Sequence, residues 1–200
     1  MRSGRVNFGA VMVWLRDNLP ADAILCNGAG NYSAWVHRYF RFRRFGQYVA
    51  PASGSMGYGV PAAVAMKRLH PDRQVICLAG DGDFLMNGQE IATAVQYDLP
   101  IITIIFDNGM YGTIRMHQER EYPGRISATD LRNPDFPAYA RAFGGFGISV
   151  ERTEDFPAAF DEARASRKPA IIRLAIDPQA ITPGATLAKI RAKALAEKNR

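Results

Sequence analysis

The sequence predicts an α/β fold, a doubly wound and mostly parallel sheet with helices on both faces. Apolar runs of strand length, such as residues 75–79 and 101–106, alternate with segments whose apolar residues recur at helical spacing. Glycine-rich turns, Asn27 to Tyr32 and Gly80 to Gly82, follow apolar runs, as they do where a strand hands over to a helix. No internal repeat or low-complexity linker breaks the alternation over 200 residues that are 48% hydrophobic. A chain of this length buries about 70% of its unfolded surface as one domain.

In order, Phe8, Val11, Met12 and Leu15 make one apolar face of a first helix that stops at Pro20, a residue with no N–H for the helical ladder. Residues 23–26 read as a short strand that ends in Asn27-Gly28-Ala29-Gly30-Asn31-Tyr32. From residue types alone this turn is equally a chain reversal and an anion cradle. A helix through Trp35 and Tyr39 follows, then an extended piece at 48–50 and a loop over 51–59 that opens a helix over 60–69. Next come a strand at 75–79, a crossover in which Leu85, Ile91, Ala94 and Val95 fall near helical spacing, and a strand at 101–106. Such a unit in one parallel sheet is nearly always right-handed, with its loops at the carboxyl edge. Asp81 and Asn108, 27 residues apart, are therefore expected at the same edge.

Residues 111–118 read as a helix start or folded loop near that edge, and 119–133 as a polar segment able to cover it as a lid. A short helix over 136–143, a strand at 148–150, a helix over 156–165 with Phe156, Ala159, Phe160 and Ala163 on one face, and a strand at 170–176 stopped by Asp177-Pro178 complete the sheet. The expected domain spans 1–186. Residues 187–200 form a basic helical tail, expected either to dock on a neighbouring subunit or to fray.

The net charge of +6 concentrates in this tail and in Arg38-Tyr39-Phe40-Arg41-Phe42-Arg43-Arg44-Phe45. Arginines interleaved with aromatics could stack bases and hold phosphates, although a subunit rim explains them better, so nucleic acid is an unlikely partner. Cys26 and Cys77 have no ligand-like spacing and are expected as buried thiols in a cytoplasmic setting. Apolar runs are too short for a membrane span, and no secretory signal is expected.

A carboxylate and an amide oxygen converging among glycine-freed N–H groups suit a small hard cation that holds a phosphate. Gly-Asp-Gly alone is equally an ordinary turn. Together, however, Gly80-Asp81-Gly82, the 27-residue interval and Asn108 resemble the thiamine diphosphate motif. Ser53-Gly54-Ser55-Met56-Gly57-Tyr58-Gly59-Val60-Pro61-Ala62-Ala63 is similar to the segment preceding that motif in acetolactate-synthase-like enzymes. The likeness covers about residues 7–187, as the diphosphate-binding domain only.

The resemblance implies thiamine diphosphate and Mg²⁺ as cofactors, with Asp81, Asn108 and the Met110 carbonyl as metal ligands. It places Ala29, Gly30, Asn31, Tyr32, Gly54, Ser55, Met56, Gly80, Gly82, Asp83, Tyr111 and Gly112 around the cofactor, Met56 as a wedge that bends it, and the Gly54 carbonyl and Met56 amide at its pyrimidine edge. Thr113, Arg115 and His117 are candidates to meet a 2-oxo acid. The implied reaction is decarboxylation of that acid, ligation of the product to a second carbonyl, or both, with the enzyme classed as a transferase or lyase. The activating glutamate belongs to a pyrimidine-binding domain that these residues do not match, so the chain is expected to be inactive alone and to work in a homo-oligomer.

Three positions depart from the pattern. Asp107 stands where an asparagine is common and would add charge near the metal. Asp83 stands where serine is frequent; it is expected to point away or to cap the helix it begins. His117 stands where acetolactate synthases carry tryptophan. A further reading takes Gly57, Gly59 and Ala62 as a dinucleotide fingerprint, which would make Asp81 a ribose ligand; the fingerprint should leave a buried strand directly, yet a polar loop with Pro51 intervenes.

Overall fold

The computed structural model describes residues 6–198; residues 1–5 of the expected domain, and Asn199 and Arg200 of the tail, lie outside the described residues. The elements run α1 (Phe8–Asn18), β1 (Ile24–Asn27), α2 (Ser33–Tyr39), β2 (Tyr48–Val49), α3 (Gly59–Leu69), β3 (Val75–Gly80), α4 (Asp81–Asn87), α5 (Ile91–Gln96) and β4 (Ile102–Asp107). They continue through α6 (Gly112–Glu121), α7 (Phe136–Ala142), β5 (Phe146–Val150), α8 (Phe156–Ala165), β6 (Ala170–Ala175), β7 (Ala180–Thr182), β8 (Ala185–Thr186) and α9 (Leu187–Lys198).

Six strands form one parallel sheet in the order β2-β1-β3-β4-β6-β5. Alternate side chains along each strand feed opposite faces. Ile76 and Leu78 of β3 join Met12, Leu15, Val36 and Phe160 in a core under α1, α2 and α8. Cys77 and Ala79 join Val60, Ala63, Ile91 and Phe136 in a second core under α3, α5 and α7. Burial on both faces explains why the strands read as continuous apolar runs. Cys26 and Cys77 are paired in register on β1 and β3, buried and free.

The chain leaves β1 toward β2 on one side and leaves β3 toward β4 on the other, so the connections diverge between β1 and β3. At such a switch point the loops splay apart beyond the carboxyl ends and leave a crevice. The crossover between β3 and β4 is two short helices joined by a 3-10 turn at Gly88–Glu90, and Leu85 is exposed while Ile91 and Ala94 are buried. Leu85 thus does not share the buried face expected of it, because the break at Gly88 resets the helical phase.

Rather than fray, the tail through Lys198 forms α9 and packs on α6 of its own chain, burying Leu187 and Ala194. The 119–133 segment is tied down at many points, with the Tyr111 N–H donating to Thr129 O at 2.9 Å and the Leu131 N–H to Gly109 O at 2.8 Å. In this conformation it braces the turn after β4. Glu119, with 1% side-chain exposure, joins the two helices: Arg191 Nε donates to its Oε2 at 2.7 Å, and Arg115 Nε to its Oε1 at 3.1 Å.

Arg191 holds the Glu119 carboxyl at about 2, below its ordinary 4.5, with the Gly124 N–H and Arg115 assisting and burial opposing. A carboxyl depressed on folding contributes stability above its unfolded value and loses it as pH falls from about 4.5 toward about 2. Glu119→Gln should lower the unfolding free energy at neutral pH by about 2 kcal/mol, less than for a fully buried pair because Arg191 reaches solvent. Urea unfolding should show the wild-type and variant stabilities converging as pH falls through that window; a constant gap would refute the assignment.

Candidate functional site

Three turns meet at the switch point, those following β1, β3 and β4, and with Met56 they line one cleft. Of the residues expected around the cofactor, Ala29, Gly30, Asn31, Tyr32, Met56, Gly80, Asp81, Gly82, Asp83, Asn108, Met110, Tyr111 and Gly112 all line it. Gly54 and Ser55 do not; both are exposed, on a turn where the Ser53 and Ser55 hydroxyls pair at 2.7 Å. Helices α2, α4 and α6 begin at the cleft, and none is capped by a side chain. An α-helix leaves its first N–H groups without helical partners, so these ends favour an anion.

Asp81 is 3% exposed. Its Oδ1 accepts the Gly82 N–H at 2.9 Å, and its Oδ2 accepts the Gly109 N–H and Asn133 Nδ2, each at 2.8 Å. Gly80 is registered opposite Phe106, so Asp81 and the Asp107-Asn108 pair leave adjacent strands side by side. Asn108 Oδ1 accepts the Met110 N–H at 3.1 Å. The two sheet tips expected to share an ion are thus in hydrogen-bond contact. Burial pushes the Asp81 carboxyl up to about 6 against the pull of Asn133, Gly82 and Gly109, and Asp107 adds to the push. A carboxylate raised in this way lacks a positive neighbour, which a divalent cation would supply.

Asp107 adds negative charge beside Asp81, as expected, and is itself held by two side chains. Arg173 Nε donates to its Oδ2 at 2.7 Å, and Asn133 Nδ2 donates to its Oδ1 at 2.7 Å. Asn133 therefore bridges Asp81 and Asp107, a role that residue types did not announce. Arg173 did leave a signal, as a lone arginine inside the buried run Ile171-Ile172-Arg173-Leu174.

Asp83 is corrected. It neither points away from the cleft, which it lines, nor caps its helix; it is 3% exposed and reaches across the cleft floor. Its Oδ2 accepts the Tyr32 hydroxyl at 2.7 Å, and its Oδ1 accepts the Gly57 N–H at 2.7 Å and the Ala29 N–H at 3.3 Å. Burial raises its carboxyl above the ordinary value, and these donors oppose that.

The substrate candidates separate. Thr113 lines the cleft, but its hydroxyl is committed to Asn31, accepting the N–H at 3.0 Å and donating to Oδ1 at 3.1 Å. Arg115 is paired with Glu119 and, at 3.5 Å, with Asp130. His117 is exposed on the outer side of α6, with Nδ1 3.5 Å from Arg120. The apolar wall of Phe8, Trp35, Phe106, Ile176 and Ile181 escaped the sequence reading, because such residues read only as core. Phe8 and Phe106 stand 3.8 Å apart between centroids and close that side.

The dinucleotide fingerprint fails on geometry, since the Gly57 N–H is taken by Asp83 and its carbonyl by Asn87. A pyrophosphate could take the Gly57 N–H only by displacing the Asp83 carboxylate. In the arginine-rich loop, Gln47 Oε1 accepts the Arg43 and Arg44 N–H groups, leaving Phe45 fully exposed.

The family model for the thiamine pyrophosphate enzyme C-terminal TPP binding domain matches residues 28–174. The acetolactate synthase large subunit of Parasynechococcus marenigrum is 40% identical over 146 residues, 72% of this chain and 24% of that protein. The acetolactate synthase isozyme 2 large subunit of Escherichia coli is 34% identical over 165 residues, 82% of this chain and 30% of that protein. The solved structure of a thiamine diphosphate-dependent 4-hydroxybenzoylformate decarboxylase from Rhodococcus jostii superposes with a TM-score of 0.82 at 32% identity, covering 88% of this chain and 34% of that one. The chain therefore spans between a quarter and a third of the length of these relatives. By its match over residues 28–174 and its likeness to these enzymes, the chain belongs to the thiamine pyrophosphate enzymes, as a C-terminal TPP-binding domain.

Proposed function

We propose that this domain holds thiamine diphosphate through Mg²⁺ within an enzyme that decarboxylates 2-oxo acids, ligates the product to a second carbonyl, or does both. The observation that carries the metal is the charge of the cleft. Among the described residues, its lining holds two aspartates and no lysine or arginine. A diphosphate placed there needs a cation, and Asp81, the Asn108 amide oxygen and the Met110 carbonyl are the hard oxygen donors that Mg²⁺ takes. The remaining charge falls to backbone N–H groups of Gly30, Tyr32 and the first turn of α6 from Gly112, since those of Ala29, Asn31, Gly82 and Tyr111 are already donated to Asp83, Thr113, Asp81 and Thr129.

When bound, the coenzyme supplies a thiazolium carbon nucleophile for the substrate carbonyl. This chain's part is to bind, bend and desolvate it. Met56 would press on it from the loop side, the Gly54 carbonyl and Met56 amide would be offered to its pyrimidine edge, and the apolar wall of Phe8, Trp35 and Phe106 would limit water in the cleft. Relatives named as synthases and as a decarboxylase support both reaction types.

The glutamate that activates the pyrimidine would come from a pyrimidine-binding domain, on the same longer chain or on a partner subunit in a homo-oligomer. Exposed Gly54 and Ser55 face outward, where such a domain would close over the cofactor. We place the enzyme in the cytoplasm, where Cys26 and Cys77 stay thiols; no helix among the described residues is long and apolar enough to cross a membrane. The 200-residue chain incubated with pyruvate, thiamine diphosphate and Mg²⁺ should show no turnover, while the cofactor protects it from unfolding in a Mg²⁺-dependent way. Robust turnover without added protein would refute the division of labour, and protection without Mg²⁺ would refute the metal.

A further inference from the structure

The loop that carries Met56 hangs on the helix that carries Asp81. Among the described residues, the loop over 52–58 makes two hydrogen bonds beyond its own turn and α3, and both are at Gly57. Asp83 Oδ1 accepts the Gly57 N–H at 2.7 Å, and Asn87 Nδ2 donates to the Gly57 carbonyl at 3.1 Å. Asp83 and Asn87 lie four residues apart on α4, hence on one face of it. The N–H that Asp83 holds belongs to the peptide joining Met56 to Gly57. Gly57 is buried with φ +81°, and a Cβ there would stand 2.7 Å from Met86 Cβ and 2.8 Å from Asn87 Nδ2. The loop thus lies against α4 as closely as a backbone can.

The geometry points to Asp83 and Asn87 as positioning residues: a two-pronged clamp on Gly57 that fixes how far Met56 projects into the cleft. One helix then sets both ends of the bound molecule, Asp81 facing the cation and the clamp setting the side chain that meets the thiamine moiety. The proposal rests on the reading of the cleft as a thiamine diphosphate site. Its chemistry is that of one buried and one half-buried hydrogen bond, where each lost partner leaves the loop free to swing.

Asn87 is the cleaner probe, because Asp83 also accepts the Ala29 N–H in the turn that faces the phosphates. In the full chain, Asn87→Ala and the isosteric Asn87→Asp, which cannot donate to a carbonyl, should raise amide exchange over residues 52–58 by about tenfold, with global unfolding unchanged. By calorimetry with Mg²⁺, both should weaken thiamine diphosphate by about tenfold and leave inorganic diphosphate within about twofold, since only the former reaches Met56. Unchanged exchange, or equal weakening of both ligands, would overturn the clamp. A wild-type chain that binds neither ligand would overturn the underlying site, and the exchange experiment, which needs no ligand, tells that failure from the first.

Discussion

Asp81→Ala is expected to weaken Mg²⁺-dependent thiamine diphosphate binding by about 100-fold or more, a larger loss than any outer-shell change should give. No other charged group stands ready to replace it. Asp107 is engaged by Arg173 and Asn133, and Asp83 by Tyr32, Gly57 and Ala29. The fold should survive the change. Alanine removes three hydrogen bonds worth about 1 kcal/mol each, but also a carboxylate whose burial is itself unfavourable, so the two effects offset to within about 2 kcal/mol. The measurement is calorimetric titration with Mg²⁺ present, alongside urea unfolding of the ligand-free variant. Affinity kept within about tenfold in a folded variant would remove Asp81 from the metal.

What the sequence made legible follows from how local each cause is. Phe8, Val11, Met12 and Leu15 announce α1 because a helix repeats its buried face every three or four residues, and all four are buried. The expected helix over 156–165 has the bounds observed for α8, helped by Pro157 at its first turn. Asp81 and Asn108 were placed together because parallel neighbouring strands end at one edge, a rule that needs no side-chain detail. Asn133 shows where this stops. Its setting, Asn133-Pro134-Asp135-Phe136, reads as a helix entry, and Asp135 does cap α7. That Asn133 turns back to two carboxylates at the ends of β3 and β4 is a fact of tertiary packing. For Asp83 the local rule was at hand and lost: capping α4 would gain one bond, whereas reaching Tyr32, Gly57 and Ala29 gains three. The docking of α9 was hidden for a related reason, since its main anchor joins Arg191 to Glu119 across 72 residues.

Gly28 should be the position in the cleft floor least tolerant of a single added methyl group. A Cβ there would lie 2.1 Å from Asp83 Oδ1 and 2.6 Å from Oδ2. The backbone at Gly28 is not left-handed, so alanine meets no conformational penalty and its whole effect comes from that contact. The carboxylate cannot simply turn aside, because leaving its place strands the Tyr32 hydroxyl and the Gly57 and Ala29 N–H groups in a buried site. Overpacking together with orphaned donors sets the expected loss for Gly28→Ala at about 3 kcal/mol in urea unfolding. Asp83→Ala is destabilising too, yet it clears the space that the new methyl needs. In that background the further loss from Gly28→Ala should fall below about 1 kcal/mol, an interaction of about 2 kcal/mol between residues far apart in sequence. Equal losses in both backgrounds would mean that something other than the carboxylate resists the methyl. Asp83 would then be a bystander in the turn after β1, and the tie it makes between that turn and the Met56 loop would have no energetic weight.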